Sequence, residues 1–280
     1  MTQEFEPSLS QLISTRYDGA SLPEDIEDQG PVLRSMLGRA SCRLFLDKQI
    51  PSEVLNLLCA AALASPTKSD LQQRDIVLLH SADSRKQLAS FAAGQPWVAD
   101  APMIAVFCGN NRRQRLLHDW QNVPFANDHL DAFFNAASDA AIALGACVTA
   151  AEALGLGCCP ISAVRNEAGA VSKLLNLPEY VFPFAGLAIG YPSQSPAITK
   201  RLPLHATCHV DRYQEDDLQN TVNAYDAARA AAQPYAQQRF PDMFGTKTDY
   251  SWSDDKVRQY SQPERAEFGA YVRQQRFKLD

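Results

Sequence analysis

The 280-residue chain contains no G-x-G-x-x-G, no G-x-x-x-x-G-K-[ST] and no G-x-S-x-G. It therefore carries no dinucleotide fingerprint, no P-loop and no nucleophile elbow. Its seven cysteines, at 42, 59, 108, 147, 158, 159 and 208, include no CxxC pair and lie mostly isolated in apolar runs. An odd set so spaced argues against a disulfide framework and a closed zinc site, and these residues read as reduced packing groups. Long hydrophobic runs are also missing: the most apolar one, Ala140 to Ala151, is about 12 residues against the roughly 20 that span a bilayer. The opening MTQEFEPSLSQLIS has neither a basic region nor a continuous apolar stretch and does not read as a secretory signal. Positive charge is in deficit, with a formal net charge of -6 and a pI of about 5.4. Nucleic acid and anionic membranes are thus poor partners, and any anionic ligand needs a local basic pocket. A soluble cytoplasmic protein is expected.

Apolar residues make up 46% and charged residues 21%, proportions that allow a sizeable core. The first 35 residues, with acidic LPEDIEDQG and no clear period, read as an arm. PSEVLNLLCAAALA, from Pro51, has helical spacing, and Ser84 to Ala93 is a second helical segment. Asp75 to His80 and Met103 to Cys108 read as buried strands, as does VFPFAGLAIGYP, Val181 to Pro192. His129 to Leu154 is apolar on nearly every face, the mark of a helix buried in a core or a subunit interface. Further helices are expected over Arg165 to Leu175, up to Pro234 in YDAARAAAQPYAQQRF, and over Pro263 to Phe277. Strands alternating with helices indicate a mixed α/β sheet core with a C-terminal extension.

Four segments hold groups with chemistry. In GRASCRLF an extended chain sets Arg39, Ser41 and Arg43 on one side, a grip for phosphate that competes with a solvated basic turn. TKRLP adds Lys200 and Arg201, and SPTKSDLQQ is a loop of hydroxyl and amide groups suited to a polar ring edge or simply to solvent. In EALGLGCCPISAVRN, Pro160 holds Cys159 extended, and the amides of Ile161, Ser162 and Ala163 carry side chains small enough for a flat ligand to approach. A thiol role for Cys158 and Cys159 competes there, but no basic residue lies beside them to activate a thiolate. LPLHATCHV reads as β, which sets His205 and His209 about 13 Å apart and disfavours a metal site.

Taken in order, these segments resemble the FMN-dependent nitroreductase family, closest to its larger, oxygen-insensitive, NADPH-preferring branch. The motifs are R-x-S-x-R-x-F from Arg39 to Phe45, the small-polar loop ending in Leu71-Gln72, AGQPWVADAPMIAVFC, ALGLGCCPISAVRN, LLNLPEYVFPFAGLAIGYP and KRLPL. They cover roughly residues 36 to 212, with a fainter echo at Trp252-Ser253-Asp254 and from Arg265 to Phe277.

The resemblance implies an α+β fold, a mixed sheet sandwiched by helices, in an intertwined homodimer with two FMN sites at its interface. It divides the chain into an arm (1–35), an FMN-binding core (36–212) and a helical extension wrapping the partner or the core (213–280). By position, Arg39, Ala40, Ser41 and Arg43 hold the FMN phosphate and ring edge, joined by Lys200 and Arg201. Pro66, Thr67, Lys68 and Gln72, with Gln95, contact the isoalloxazine. Pro160, Ile161, Ser162 and Ala163 present backbone N–H groups, that of Ser162 near flavin N5 as the catalytic donor, which leaves both thiols incidental. Arg265 and Arg239 are implied substrate-binding residues, with Lys247 an alternative to Arg239 at the NADPH 2′-phosphate. Hydride passes from NADPH or NADH to FMN and on to a nitroaromatic or quinone in a ping-pong cycle.

The chain departs from the family where Thr67-Lys68-Ser69-Asp70 replaces a Ser-Ser-x-Asn run and Ser162-Ala163 replaces a Gly-rich segment, so the pocket is reshaped. The arm is longer than the branch norm. A flavin-storage protein, or a flavoenzyme acting on one metabolite, are the alternatives on the same fold.

Overall fold

The computed structural model describes residues 7–17, 31–92 and 95–280. Contacts divide the chain into two units, Met1–Ala40 with Ala197–Glu264, and Ser41–Pro196 with Arg265–Asp280. The first unit begins with two helices, α1 (Leu9–Arg16) and α2 (Pro31–Gly38), which pack on each other. The arm thus contains regular structure that its weak period concealed. Ser8 and Gln11 close a capping box that satisfies two orphan amides at the start of α1. The acidic LPEDIEDQG lies outside the described residues, as do Ala93 and Gly94.

The second unit holds α3 (Ser52–Leu63), β1 (Arg74–Leu79), α4 (Ala82–Phe91), β2 (Met103–Asn110), α5 (Arg112–Gln121), α6 (Leu130–Ala153), β3 (Gly157–Ile161), α7 (Ala168–Leu174) and β4 (Val181–Gly190). The strands form one sheet in the order β1-β2-β4-β3, antiparallel at every pairing. The α+β architecture is as expected, and the parallel component of the sheet comes from Ser41, which bridges to Cys158. Every residue of β2 is buried because both faces are covered. Met103, Ala105 and Phe107 join a core with Leu55 and Leu58 of α3 and Cys147 of α6. Ile104, Val106 and Cys108 face the opposite way, with Leu88 of α4 and Val171 of α7. The register shifts between Phe107 and Cys108, where Pro183 of β4 stands opposite Cys108.

α6 runs for 24 residues, longer than the apolar run counted in the sequence, and by length and composition alone is sufficient to cross a membrane. It is instead the core helix of its unit: it packs on α3 and β2, and Asp139 at its centre is 1% exposed. Leu130, Phe134 and Ile142 on the same helix are 48%, 63% and 42% exposed.

The first unit continues with α8 (Leu218–Ala232), α9 (Pro241–Phe244) and α10 (Trp252–Tyr260), the last opening on a second capping box, Ser251 with Asp254. The expected β stretch LPLHATCHV is not a strand. Leu204–Ala206 is a single 3-10 turn entered from Pro203, whose fixed φ of -55 starts the turn, and Cys208 N–H closes it on the Leu204 carbonyl at 2.7 Å. Within the second unit, α11 (Phe268–Gln274) packs against α7, and Phe277 joins Phe133 and Phe182 in an aromatic cluster.

Candidate functional site

Within the second unit, the chain from Ser41 to Phe45 runs beside the strand that leads into the Pro160–Ala163 turn. The chain from Ser41 to Phe45 is extended, as expected: Ser41 bridges to Cys158, and Cys42 N–H donates to the Cys158 carbonyl at 3.0 Å. At its far end Phe45 bridges to Pro192, and Leu46 N–H donates to the Tyr191 carbonyl at 2.8 Å. Gly157 permits this approach, since a Cβ there would stand 2.6 Å from Cys42 Sγ. Arg43 is exposed, and its guanidinium carbon lies 5.8 Å from the Trp97 ring centre. Trp97 belongs to a short 3-10 turn, Pro96–Val98, which Gln95 precedes.

β3 then ends at Ile161 and the chain enters a 3-10 turn, Ser162–Arg165. The first amides of a helical turn have no partner inside it, and Ser162 is exposed at that first position. Pro160 is also exposed, whereas Ile161 and Ala163 are buried and anchor the turn. The neighbouring thiols face inward: Cys158 and Cys159 are 0% and 3% exposed, with Cys158 Sγ 3.5 Å from Glu152 Oε1. All seven cysteines are free, and burial pushes the Cys108 and Cys147 thiols up to about 12.

The loop bearing Pro66, Thr67, Lys68 and Gln72 is built by a residue that the sequence reading passed over. Asp139 of α6 accepts from the Thr67 hydroxyl, from Lys68 N–H at 3.0 Å and from Gln73 N–H at 2.8 Å. Arg74, also buried, stands 3.8 Å away and donates to the Leu63 and Ser65 carbonyls. The same Thr67 oxygen accepts from Gln72 N–H at 2.9 Å. Held this way, Ser69, Asp70 and Gln72 adopt left-handed φ values of 48, 56 and 52, conformations that L-residues keep only under constraint. From outside, Arg113 and Gln114 of α5 donate to the Gln72 and Leu71 carbonyls.

The structure does not bring this loop to the Pro160–Ala163 turn within one chain. Ile161 pairs with Gly186, Gly186 with Val106, and Val106 with Val77. The β1 edge therefore lies three strand spacings, about 14 Å, from β3.

Arg265 lies near that turn, at φ 57, with Nη1 3.4 Å from the Asn166 side-chain oxygen. Beside it is Arg165, which the sequence reading gave only as the start of a helix and which donates to the Phe184 carbonyl. Burial, aided by the Arg265 charge, lowers the Arg165 pKa.

The first unit has its own cavity, of about 490 Å³. Lys200, Arg201, Arg229, Arg239 and Lys256 line it against one carboxylate, Asp255. The lining is predominantly cationic although the chain as a whole is acidic. Tyr17, Tyr225, Tyr235 and Trp252 supply aromatic walls. Asp255 accepts from Arg239 Nε at 3.1 Å, Tyr250 OH at 3.1 Å and Lys256 Nζ at 2.6 Å. Burial by itself would raise its pKa, but the Lys256 and Arg239 hydrogen bonds and charges outweigh burial and hold it below the usual range. Lys247 is engaged elsewhere, by both oxygens of Asp254 at 2.8 and 2.9 Å. Arg39 and Ala40, half-buried, belong to this unit as well.

Comparison with known proteins decides the family. The nitroreductase family profile matches residues 36–191, and the profile of the nitroreductase family C-terminal domain matches residues 200–280. The chain belongs to the nitroreductase family. Among curated nitroreductase-family relatives, the FMN reductase [NAD(P)H] of Bacillus subtilis is 36% identical over 200 residues, covering 70% of this chain and 80% of its own. The NADPH-flavin oxidoreductase of Vibrio harveyi is 34% identical over 207 residues, 72% of this chain and 85% of its own. Among solved structures, NfrA2 of B. megaterium superposes with a TM-score of 0.82 at 31% identity, over 89% of this chain and 98% of its own.

Two outcomes are expected from these anchors. Asp139→Asn should cost roughly 3 kcal/mol or more, since Arg74 is then buried without its counter-charge. It should also speed amide exchange at Lys68 and Gln73 while β2 stays protected, as urea titration and hydrogen exchange will register. The depressed Asp255 carboxyl stabilises the fold at pH values above its unfolded pKa of about 4, and that contribution disappears as pH falls through the lower folded value. Asp255→Asn should therefore lower the melting temperature at pH 7 and flatten its decline on acidification.

Proposed function

We propose that the chain is an FMN-dependent NAD(P)H oxidoreductase that reduces a nitroaromatic or quinone by a ping-pong mechanism. The observation that carries the reading is the pairing of Ser41 and Cys42 with Cys158, which seats a guanidinium and hydroxyl segment beside an exposed amide turn in a nitroreductase-family chain. Relatives bearing the names FMN reductase and NADPH-flavin oxidoreductase support it.

The donor set fits FMN. A phosphomonoester takes charge-assisted bonds from forked guanidinium groups, and Arg43 and Arg201 are both exposed. A flavin ring takes hydrogen bonds from main-chain N–H groups, and the turn that opens at exposed Ser162 is a source of them. When bound, FMN supplies the hydride chemistry between NAD(P)H and the acceptor. Arg39, Ala40, Lys200 and Arg201 are assigned to the phosphate together with Ser41 and Arg43, on the sequence resemblance. Ser162 N–H polarises the ring, with Pro160, Ile161 and Ala163 fixing its direction. Arg265, near Asn166, is assigned to the substrate. Arg239 is preferred over Lys247 for the NADPH 2′-phosphate, because it lines the cationic cavity.

We further propose a homodimer. The loop of Thr67 to Gln72 and the turn of Pro160 to Ala163 stand on opposite sheet edges, so a second copy is the direct way for both to serve one ring. The exposed Leu130, Phe134 and Ile142 of α6 offer an apolar surface for it. A cytoplasmic location is part of the proposal and agrees with seven unpaired cysteines.

The purified protein is expected to be yellow, to bleach anaerobically with NADPH or NADH and to recolour on adding a nitroaromatic. Bound flavin that neither nucleotide reduces would sink the enzyme reading in favour of storage. Arg43→Ala and Arg201→Ala should each weaken FMN binding by about 1.5–3 kcal/mol, measured by flavin fluorescence titration. Light scattering should give twice the 30.8 kDa chain mass, falling toward the monomer in Phe134→Glu.

A further inference from the structure

The N-terminal helix α1, which precedes the region matched to the family profile, ends in an arginine that is 4% exposed. The Arg16 guanidinium donates through Nε to the Leu37 carbonyl at 2.7 Å, through Nη1 to the Thr199 carbonyl at 3.3 Å, and through Nη2 to the Arg39 carbonyl. Its own carbonyl accepts from Arg201 N–H at 2.8 Å. One residue therefore joins the main chain at Arg39 to the main chain at Thr199 and Arg201. The next residue, Tyr17, lines the cationic cavity alongside Lys200 and Arg201.

The other carbonyls of the Ile198–Lys200 stretch are also taken by side chains of the first unit. Gln233 donates to Ile198 at 2.9 Å and Tyr225 to Lys200 at 3.0 Å. Three successive carbonyls thus accept from side chains, and the Arg201 guanidinium itself lies 3.5 and 3.4 Å from the Thr199 and Lys200 carbonyls, so the main chain of this stretch is held from several sides. Arg16 is the part of this arrangement that reaches both cationic segments at once. A planar fork presents its donors from separate nitrogens at fixed angles, whereas an ammonium's three donors all radiate from one atom.

We infer that Arg16 is a positioning residue for phosphate recognition: it fixes Arg39 and Arg201 for an anionic phosphomonoester without touching the ligand itself. The inference rests on the reading that these two arginines hold the FMN phosphate. α1 is thereby a working part of the anion site rather than a leader into the core. Its internal packing agrees, with Leu9 and Leu12 buried and Gly38 of α2 leaving room, since a Cβ there would stand 3.4 Å from Leu12.

FMN and riboflavin share a ring and differ in the phosphate, so their affinity ratio isolates what Arg16 is inferred to do. Flavin-free wild type, Arg16→Gln and Arg16→Lys would be titrated with each flavin by fluorescence quenching. In Arg16→Gln, FMN affinity should fall about tenfold while riboflavin affinity changes less than about twofold, with Arg16→Lys close to Gln, because retained charge does not replace the fork. Equal losses for both flavins would make Arg16 an ordinary structural staple and overturn the inference, as would no loss at all. Should Arg16→Gln not fold, Arg16→Lys decides on the same ratio. A wild type that binds FMN no better than riboflavin removes the phosphate reading itself, and the inference with it. A wild type that prefers FMN while both variants keep that preference removes the inference alone.

Discussion

A buried carboxylate inside an alanine-rich helix is the constraint on which the second unit turns. Asp139 is out of water, so its charge needs partners, and the chain supplies a hydroxyl and two amides as donors with the Arg74 guanidinium 3.8 Å away as counter-charge. Those donors come from the segment between α3 and β1, so satisfying one charge fixes the path of a whole loop. The cost of three left-handed residues is offset by bonds that an unconstrained loop would make to solvent. A partly exposed loop is thus tied to the core helix beneath it.

The first unit solves the opposite problem. It must gather positive charge, and it does so by occupying carbonyl oxygens with side-chain donors and by keeping one carboxylate, Asp255, already saturated. Saturation matters: an unpartnered acid among those cations would compete with any anionic ligand, whereas one already holding three donors competes weakly. The two units thereby show the same element, a buried ion surrounded by its complements, used once to shape a loop and once to clear a pocket.

Much of this was legible in the sequence. The strands β1, β2 and β4 stand out as short β-rich runs and α6 as a long apolar one; in β2 and β4 burial on both faces leaves no polar positions to blur the pattern. The order of loose motifs sufficed to indicate the family. What escaped has physical reasons. α5, RRQRLLHDWQ, has no buried residue and so no apolar stripe. α1 and α10 are short and mostly polar; their one sequence signal was the capping pair, Ser8 with Gln11 and Ser251 with Asp254. Asp139, Arg16 and Arg165 act through main-chain partners far away in sequence, and no local spacing encodes those. Asp139 did carry a hint, as a lone acid within an otherwise apolar helix. The β reading of LPLHATCHV failed because apolar alternation there was outweighed by the proline that starts a turn.

Pro183 occupies an interior strand, where a missing amide donor ordinarily breaks a ladder. It sits opposite Cys108, where the β2–β4 register has already shifted. The seam divides the ladder into a stretch that continues to β3 and a shorter one that abuts Arg74 and the Asp139 loop. The pairing on either side of this seam is set separately, so the alignment of the stretch that continues to β3 does not dictate that of the stretch beside Arg74.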